Sequence, residues 1–482
     1  MLETTVSELC RATGATLLCG SPSIPLRGVT TDSRAVVEGG LFVCFPGERV
    51  DGNDFAAAAL DAGAAAVVLT RPATDALRRR ALAAGSALVR AEGDDPEKLM
   101  LRLAALWRAR NPQWTLIGVT GSVGKTTTKD MLARALSRRF AVHATKGNFN
   151  NLLGLPLTIL SASPEDEVLV CEMGMNHAGE LARLSTCARP DLALVTNVGT
   201  SHIGLLGSRE NIARAKAEIL VGMRPSDDAA GRAPSRLVLG VDNDFAALIE
   251  GDYARPAGVR VAYVGDRDDA LTHAERLSLD DQGRATFDLV CADGWRQRVT
   301  LGVPGRHVVS DVLMAMAMVV LLGVDRAEAL DAIASMPQTS MRLELRSRPG
   351  KARVIDDSYN ASPNSMAAAL DVLRSMDCAG RRVAVLGEMA ELGDEADRLH
   401  DYVGAYAAAA NPDLLVLVGG RLASRMADAA LTMGFSPDRL ERAGDVDEVS
   451  RVIAPVLVEG DLVLVKASRS AGLDAFVREV LA

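Results

Sequence analysis

The sequence lacks several features that would place it in familiar classes. Its seven cysteines, at 10, 19, 44, 171, 187, 291 and 378, include no Cys-x-x-Cys pair and are odd in number. That spacing argues against a zinc site or a disulfide framework, and for reduced, mostly buried thiols in a cytoplasmic protein. The start, MLETTVSELCRATG, has no basic stretch leading into an apolar core, so no export signal is read there. No apolar run suits a membrane span: the most apolar helix candidate, Val312 to Val324, is bounded by Asp311 and Asp325 and reads as a core helix. Basic charge is not in excess. A net charge of -9 argues against nonspecific nucleic-acid binding through a broad basic surface. Aromatic residues are few at 4%, but a hydrophobic fraction of 48% is ample for folding.

What is present is a chain of 482 residues, too long for one ordinary core. Short apolar strands alternate with helical stretches, which points to an α/β class. Three blocks are expected. Residues 1–108 hold 41-LFVCF-45, the Ala-rich helix 54-DFAAAALDAGA-64 and strand 65-AAVVLT-70; polar 91-AEGDDPEK-98 then opens a helix ending near Arg110. Residues 109–337 hold strands 168-VLVCEMG-174, 192-LALVTNVG-199 and 237-LVLGVDND-244, with a surface loop expected at 224-RPSDDAAGRAPS-235. Residues 338–482 hold strands 382-RVAVLG-387, 413-DLLVLVGG-420 and 461-DLVLVKAS-468 between helices, the pattern of an open, Rossmann-like parallel sheet. No internal repeat is found.

The stretch 115-TLIGVTGSVGKTTTKDMLARAL-136 carries the sharpest chemical signal. Leu116 to Val119 reads as a buried strand, and Met131, Leu132, Ala135 and Leu136 recur at helical spacing after it. Between them Gly121, Ser122, Val123 and Gly124 form a loop whose backbone N–H groups can face an anion at a helix N-terminus. Lys125 would reach terminal phosphates, and the hydroxyl of Thr126, followed by Thr127, would face Mg2+. The common Gly-x-x-x-x-Gly-Lys-Thr spacing needs glycine at 119, where Val119 stands, so the loop is a shorter variant.

Other candidates are more ambiguous taken singly. Glu172 ends a strand and reads either as a metal ligand beside Thr126 or as a solvated strand-end carboxylate. His202 ends the next, either as a ligand or as a structural imidazole. Lys216 sits beside the apolar stripe of 209-RENIARAKAEIL-220 and reads equally as a surface lysine. In 355-IDDSYNASPNSM-366 the two aspartates suit metal binding, amine deprotonation or a turn cap, and Arg342 suits a phosphoryl group or the surface.

In order, TGSVGKTTTK, CEMGMNHAGEL, TNVGTSHIGLLGSRENIARAKAEI, IDDSYNASPNSM, VLGEMAELGDEADRLH and LVKASR resemble the Mur ligases. The segment 28-GVTTDSRAVVEGGLFVCFPGERVDGNDF-55 matches the family's N-terminal uridine-nucleotide domain, so the resemblance spans nearly the whole chain. DDSYNASP together with LGEMAELGDEADRLH favours the dipeptide-adding member, and the Asp-Asn-Pro-Arg motif of the diamino-acid-adding relatives is missing. The resemblance implies three domains: an N-terminal uridine-nucleotide-binding α/β domain, a central P-loop ATPase domain with a mostly parallel sheet and a C-terminal Rossmann-like domain. It implies ATP and Mg2+ as cofactors, UDP-MurNAc-tripeptide and D-alanyl-D-alanine as substrates, no nucleic acid, and a monomer. The tripeptide carboxylate would be phosphorylated by ATP and the acyl phosphate attacked by the amine.

The same resemblance assigns roles by position. Lys125 contacts the transferred phosphate; Thr126 and Glu172 hold one Mg2+ and His202 helps hold a second; Lys216 matches a lysine that several members carbamylate into a metal ligand. Arg342, Asp356, Asp357, Tyr359 and Asn360 match residues around the nucleotide and the interdomain site. Ser33 and Arg34 match the segment near UDP, and Lys466 and Ser468 match a C-terminal Lys-Gly-Ser-Arg motif in which Ala467 replaces glycine. Val308 and Asp311 stand at the asparagines of the family's His-Asn-x-x-Asn helix start, and an acceptor-only carboxylate at Asp311 lacks the two-way hydrogen bonding of an amide toward adenine. Ser362 replaces an asparagine and Met341 a glycine. Competing readings are a sister Mur ligase adding one amino acid, a folylpolyglutamate-type ligase, a simple P-loop phosphotransferase and a noncatalytic scaffold binding a UDP precursor.

Overall fold

Apolar runs too short for helices, many of them followed by a helix-forming stretch, assemble into three large sheets, beside a two-stranded antiparallel pair of Glu3–Thr5 with Pro25–Arg27. The computed structural model describes residues 1–47, 50–226 and 235–482. Of the 224–235 loop expectation, residues 227–234 lie outside the described residues.

The first sheet has five strands: Thr16–Cys19 pairs antiparallel with Ala87–Arg90, and Ala66–Leu69, Leu41–Val43 and Val29–Thr30 continue in parallel. Pro96–Arg110 leads from this sheet into the next, started by the Asp95 side chain accepting from Lys98 N and by Pro96 in the first turn.

The second sheet has nine strands. Four neighbouring strands in its parallel part, Arg236–Gly240, Leu192–Val195, Thr115–Thr120 and Val168–Glu172, are mostly apolar, as burial on both faces requires, and half-buried Val142–Ala144 forms the edge. From Thr115–Thr120 the chain goes to one side of the sheet, through Val142–Ala144 and Val168–Glu172, and returns on the other side at Leu192–Val195. The loop after Thr115–Thr120 therefore opens at a topological switch point, where ligand crevices form. The expected strands at 168, 192 and 237 are shorter than read, ending at Glu172, Val195 and Gly240. Beyond Val195 the residues leave the ladder because Thr196, Asn197 and Gly199 hold the phosphate loop.

An antiparallel meander, Thr272–Leu279, Arg284–Cys291 and Arg296–Pro304, extends this sheet and was not anticipated. Its outermost strand alternates exposed and buried positions, as a half-solvated strand does. The helix Val308–Leu321 lies on the sheet with eleven buried residues spread round its circumference, which confirms a core helix. No helix among the described residues is long and apolar enough to cross a membrane.

In the third sheet Glu344–Arg346 pairs antiparallel with Arg353–Asp357, and Leu462–Lys466, Arg382–Gly387, Leu414–Val418 and Leu440–Ala443 follow in parallel. Asp357 and Lys466 are register partners at the carboxyl ends of adjacent strands. The third sheet thus delivers an acid and a base side by side.

Candidate active site

The phosphate loop is shaped by close approaches that only glycine permits. Gly121 has φ 148°, and a Cβ there would overlap Thr196 Oγ1. Gly124 has φ 84°, and its Cβ would fall 2.5 Å from Asp311 Oδ1. Thr196 Oγ1 and Asn197 Nδ2 donate to Val123 O at 2.5 and 3.0 Å. Asn197 Oδ1 accepts from Val123 N at 3.0 Å, and Ser122 Oγ accepts from Gly199 N at 2.9 Å. The 196–199 segment, first read as strand, is a clamp on the loop.

Lys125 begins the following helix and donates to Gly121 O at 2.7 Å. Burial pushes its pKa down, Glu172 opposes that and Arg342 adds to it. Thr126 Oγ1 donates to Glu172 Oε2 at 2.9 Å, while Asn150 Nδ2 donates to Glu172 Oε1 at 2.7 Å. Glu172 is 2% exposed, so the solvated strand-end reading is corrected: this carboxylate is buried, oriented and aimed at the loop. Its hard oxygens beside a threonine hydroxyl suit a small divalent cation that keeps several waters. Among the described residues no three His, Cys, Asp or Glu side chains gather as a metal cluster, so the protein supplies only part of a coordination shell.

Lys216 is also corrected from the surface reading: it is 2% exposed. Burial, then the Lys125 charge, lower its pKa well below the ordinary lysine value. An amine in that state is a neutral nucleophile for part of its population. His202, at φ 62°, brings Nδ1 within 2.7 Å of Glu391 Oε2, although not along the direction of an aligned hydrogen bond. Asp311 accepts from Thr128 Oγ1 at 3.1 Å, and burial pushes its carboxyl up to about 8. At neutral pH it is mainly the neutral acid, which restores the donor that a carboxylate lacks.

The third domain closes over this floor. Arg342 lies between Met341 at φ 60° and Leu343 at φ 51°, and its guanidinium stacks 4.2 Å from the Tyr359 ring centroid. Lys466 Nζ donates to Asp357 Oδ2 at 2.6 Å and to Asn360 O at 2.9 Å, while Asp357 Oδ1 accepts from Leu343 N at 3.2 Å. A cavity of about 360 Å3 is lined by Ser122, Val123, Gly124, Lys125, Thr126, Thr127, Glu172, His202, Asp311, Arg342, Asp357, Tyr359, Asn360 and Lys466, among others. A larger cavity of about 600 Å3, among Arg108, Trp114, Arg189 and Arg224 at the opposite end of the same strands, touches none of them.

Not every candidate reaches this cavity. Asp356 is 1% exposed and accepts from Ser358 Oγ at 2.6 Å and from Arg346 at 3.3 Å, so it braces its strand instead. Ser468 Oγ accepts from Ala390 N at 2.8 Å and is likewise spent on a neighbouring loop. Ser33 and Arg34 lie in a short turn of the first domain, where Arg34 pairs with Asp32. Lys216 is buried and is not among the residues that line the cavity. Sequence reading missed Asn150, Asn197 and Glu391; the Asn-rich 146-KGNFNNLLG-154 and the asparagine of TNVG were the available signals.

Three family models match the chain: the Mur ligase family, catalytic domain, over 25–102, the Mur ligase middle domain over 119–319, and the Mur ligase, glutamate ligase domain, over 341–469. The UDP-N-acetylmuramoyl-tripeptide–D-alanyl-D-alanine ligase of Mycobacterium tuberculosis is 36% identical, with 100% of this chain and 98% of that protein covered. The ligase of the same name from Bacillus subtilis is 33% identical, with 100% and 99% covered. Crystal structure I of MurF from Acinetobacter baumannii superposes with TM-score 0.85 at 28% identity, covering 100% of this chain and 99% of that one. The MurF ligase of Thermotoga maritima in complex with ADP superposes with TM-score 0.77 at 26% identity, covering 94% and 97%.

Proposed function

The chain belongs to the Mur ligase family, and from that membership we propose the following reaction for the cavity. The enzyme joins D-alanyl-D-alanine to UDP-MurNAc-tripeptide, using ATP, and forms UDP-MurNAc-pentapeptide for peptidoglycan synthesis. A tripeptide carboxylate oxygen attacks the γ-phosphorus of ATP, ADP leaves, and an acyl phosphate results. The dipeptide amine then adds to the acyl carbon, phosphate leaves with the bonding pair, and the nitrogen loses a proton as the amide forms. The observation that carries this reading is a single cavity in which Lys125, the Thr126–Glu172 oxygen pair and Arg342 of the following domain face one another.

The loop N–H groups and Lys125 hold the phosphates, and Arg342, stacked on Tyr359, offers a fixed cation to the transferring group. Bound Mg2+ would neutralise phosphate charge, held by Thr126 and Glu172 with His202 toward a second ion. Asp357, paired with Lys466, is the carboxylate placed to take the amine proton. Ser33 and Arg34 serve the uridine end of the acceptor, and the domain boundaries fall near 108 and 337. The enzyme acts in the cytoplasm as a monomer.

Lys216 takes up CO2 on its neutral amine, losing a proton, to give a carbamate whose oxygens would be available to a second metal ion. With 13C-labelled CO2, a carbamate carbon signal that Lys216→Ala abolishes is expected; an unchanged spectrum in that variant would refute the modification. The reaction is tested by phosphate release from ATP with UDP-MurNAc-tripeptide and D-alanyl-D-alanine, single amino acids or no amine. Release that depends on the dipeptide, with a pentapeptide product by mass spectrometry, is expected. Release driven by a single amino acid would move the protein to a sister activity.

A further inference from the structure

His202 and Glu391 come from different sheets. His202 follows the Leu192–Val195 strand of the second, and Glu391 follows the Arg382–Gly387 strand of the third. Their approach, His202 Nδ1 to Glu391 Oε2 at 2.7 Å, is therefore a contact between domains. Around it the two backbones press together. Gly204 N donates to Glu391 O at 3.2 Å, and a Cβ on Gly393 would stand 2.6 Å from Gly204 Cα. Glu391 itself has φ 63°, uncommon for a residue with a side chain and matched by His202 at 62°.

The loop that carries Glu391 is anchored from behind. Met389 N donates to the buried His400 Nε2 at 3.0 Å, and Ala390 N to Ser468 Oγ at 2.8 Å. Glu388 Oε1 accepts from the N–H groups of Gly420, Leu422 and Ala423, each at 3.0 Å, at the start of the Arg421–Thr432 helix. The carboxylate of Glu391 is thus delivered to His202 by a braced loop.

A histidine whose Nδ1 faces a carboxylate keeps its proton on that nitrogen and turns the Nε2 lone pair outward. His202 lines the same cavity as Thr126 and Glu172. We propose that Glu391 is a positioning residue for His202, supplied across the domain boundary, so that the histidine is set toward the metal only when the third domain rests on the second. This rests on the reading above in which His202 faces a metal ion.

Mn2+ is titrated by electron paramagnetic resonance into the ADP-bound full-length protein, its Glu391→Ala and Glu391→Gln variants and His202→Ala. Metal-free ADP affinity and the 15N shifts of the His202 ring are measured alongside. Glu391→Ala is expected to weaken the metal about tenfold, to leave metal-free ADP affinity unchanged and to move the ring shifts toward a tautomer mixture. Glu391→Gln, whose amide oxygen can accept from Nδ1–H, is expected to recover most of the metal affinity. Loss of metal affinity in His202→Ala with none in Glu391→Ala overturns the proposal and leaves the metal reading standing. No loss in either variant overturns both.

Discussion

At the scale of single residues the site depends on contacts too close for any alternative side chain. Gly121 accepts no Cβ because Thr196 Oγ1 occupies that space, and Thr196 cannot retreat while it is bonded to Val123 O. Gly121→Ala is therefore expected to weaken ADP binding at least tenfold, measured by calorimetry; affinity equal to the parent's would contradict this account of the loop. Asp311 makes a second prediction, with a definite sign. Burial raises its folded pKa to about 8 from 3.8, with the Thr128 hydroxyl partly opposing. The folded state thus favours the neutral acid, and its stabilising contribution is complete below pH 4 and is lost as pH rises toward about 8. Asp311→Asn has no such titration. The melting temperature of the variant minus that of the parent should therefore climb between about pH 4 and 8 and level off above; a flat difference would rule out the raised pKa. Residues such as Lys125 and Thr126 were legible beforehand because the loop motif that contains them is contiguous in the chain, even though Thr126 pairs with Glu172, 46 residues on. Asn150 and Asn197 were not, because they meet Glu172 and Val123 through the fold, 22 and 74 residues away.

At the scale of elements the informative segment is the connection between the Arg326–Ala334 helix and the Glu344–Arg346 strand. It holds Arg342 between two left-handed residues, and its backbone is tied at Met341 N to Glu344 and at Leu343 N to Asp357. The position needs φ near +60°, which suits the family's glycine and which methionine adopts at a cost; nothing in the structure explains the methionine. A β-branched residue fits that region worse. Met341→Val should lower stability by about 1–2 kcal/mol, read from urea denaturation midpoints, while Met341→Gly should melt at or above the parent. A valine variant as stable as the parent would show that the segment rearranges freely. Element type was readable from composition, since mostly apolar strands announced a sheet buried on both faces. Strand ends were not, because Met173 and Gly174 past Glu172 remain apolar or small while Gly174 N turns to Asn150 O, and past Val195 the segment turns to the phosphate loop, where Asn197 O accepts from Ser122 N. The half-exposed meander at 272–304 escaped for the opposite reason, its alternation being diluted by charged side chains.

At the scale of the whole molecule, the cavity is lined from both the second domain and the third. At the Gly204–Gly393 contact the two backbones leave no room for a Cβ. Gly393→Val, adding a branched side chain at φ 53°, should hold the domains apart. The expected signature is a larger radius of gyration by small-angle scattering with all substrates bound, and a kcat at least tenfold lower, with ADP affinity retained. Scattering and turnover equal to the parent's would mean that closure does not pass through this contact. By itself the sequence determined the α/β class, the phosphate loop with its lysine and threonine, and the family, because these reside in spacing along the chain. Only the tertiary structure decided that Glu172 and Lys216 are buried, that Asp311 carries a proton, that Asp356 and Ser468 are braces, and that Glu391 meets His202. Each of those follows from the dielectric surroundings and from contacts between distant segments, and neither exists until the sheets have packed.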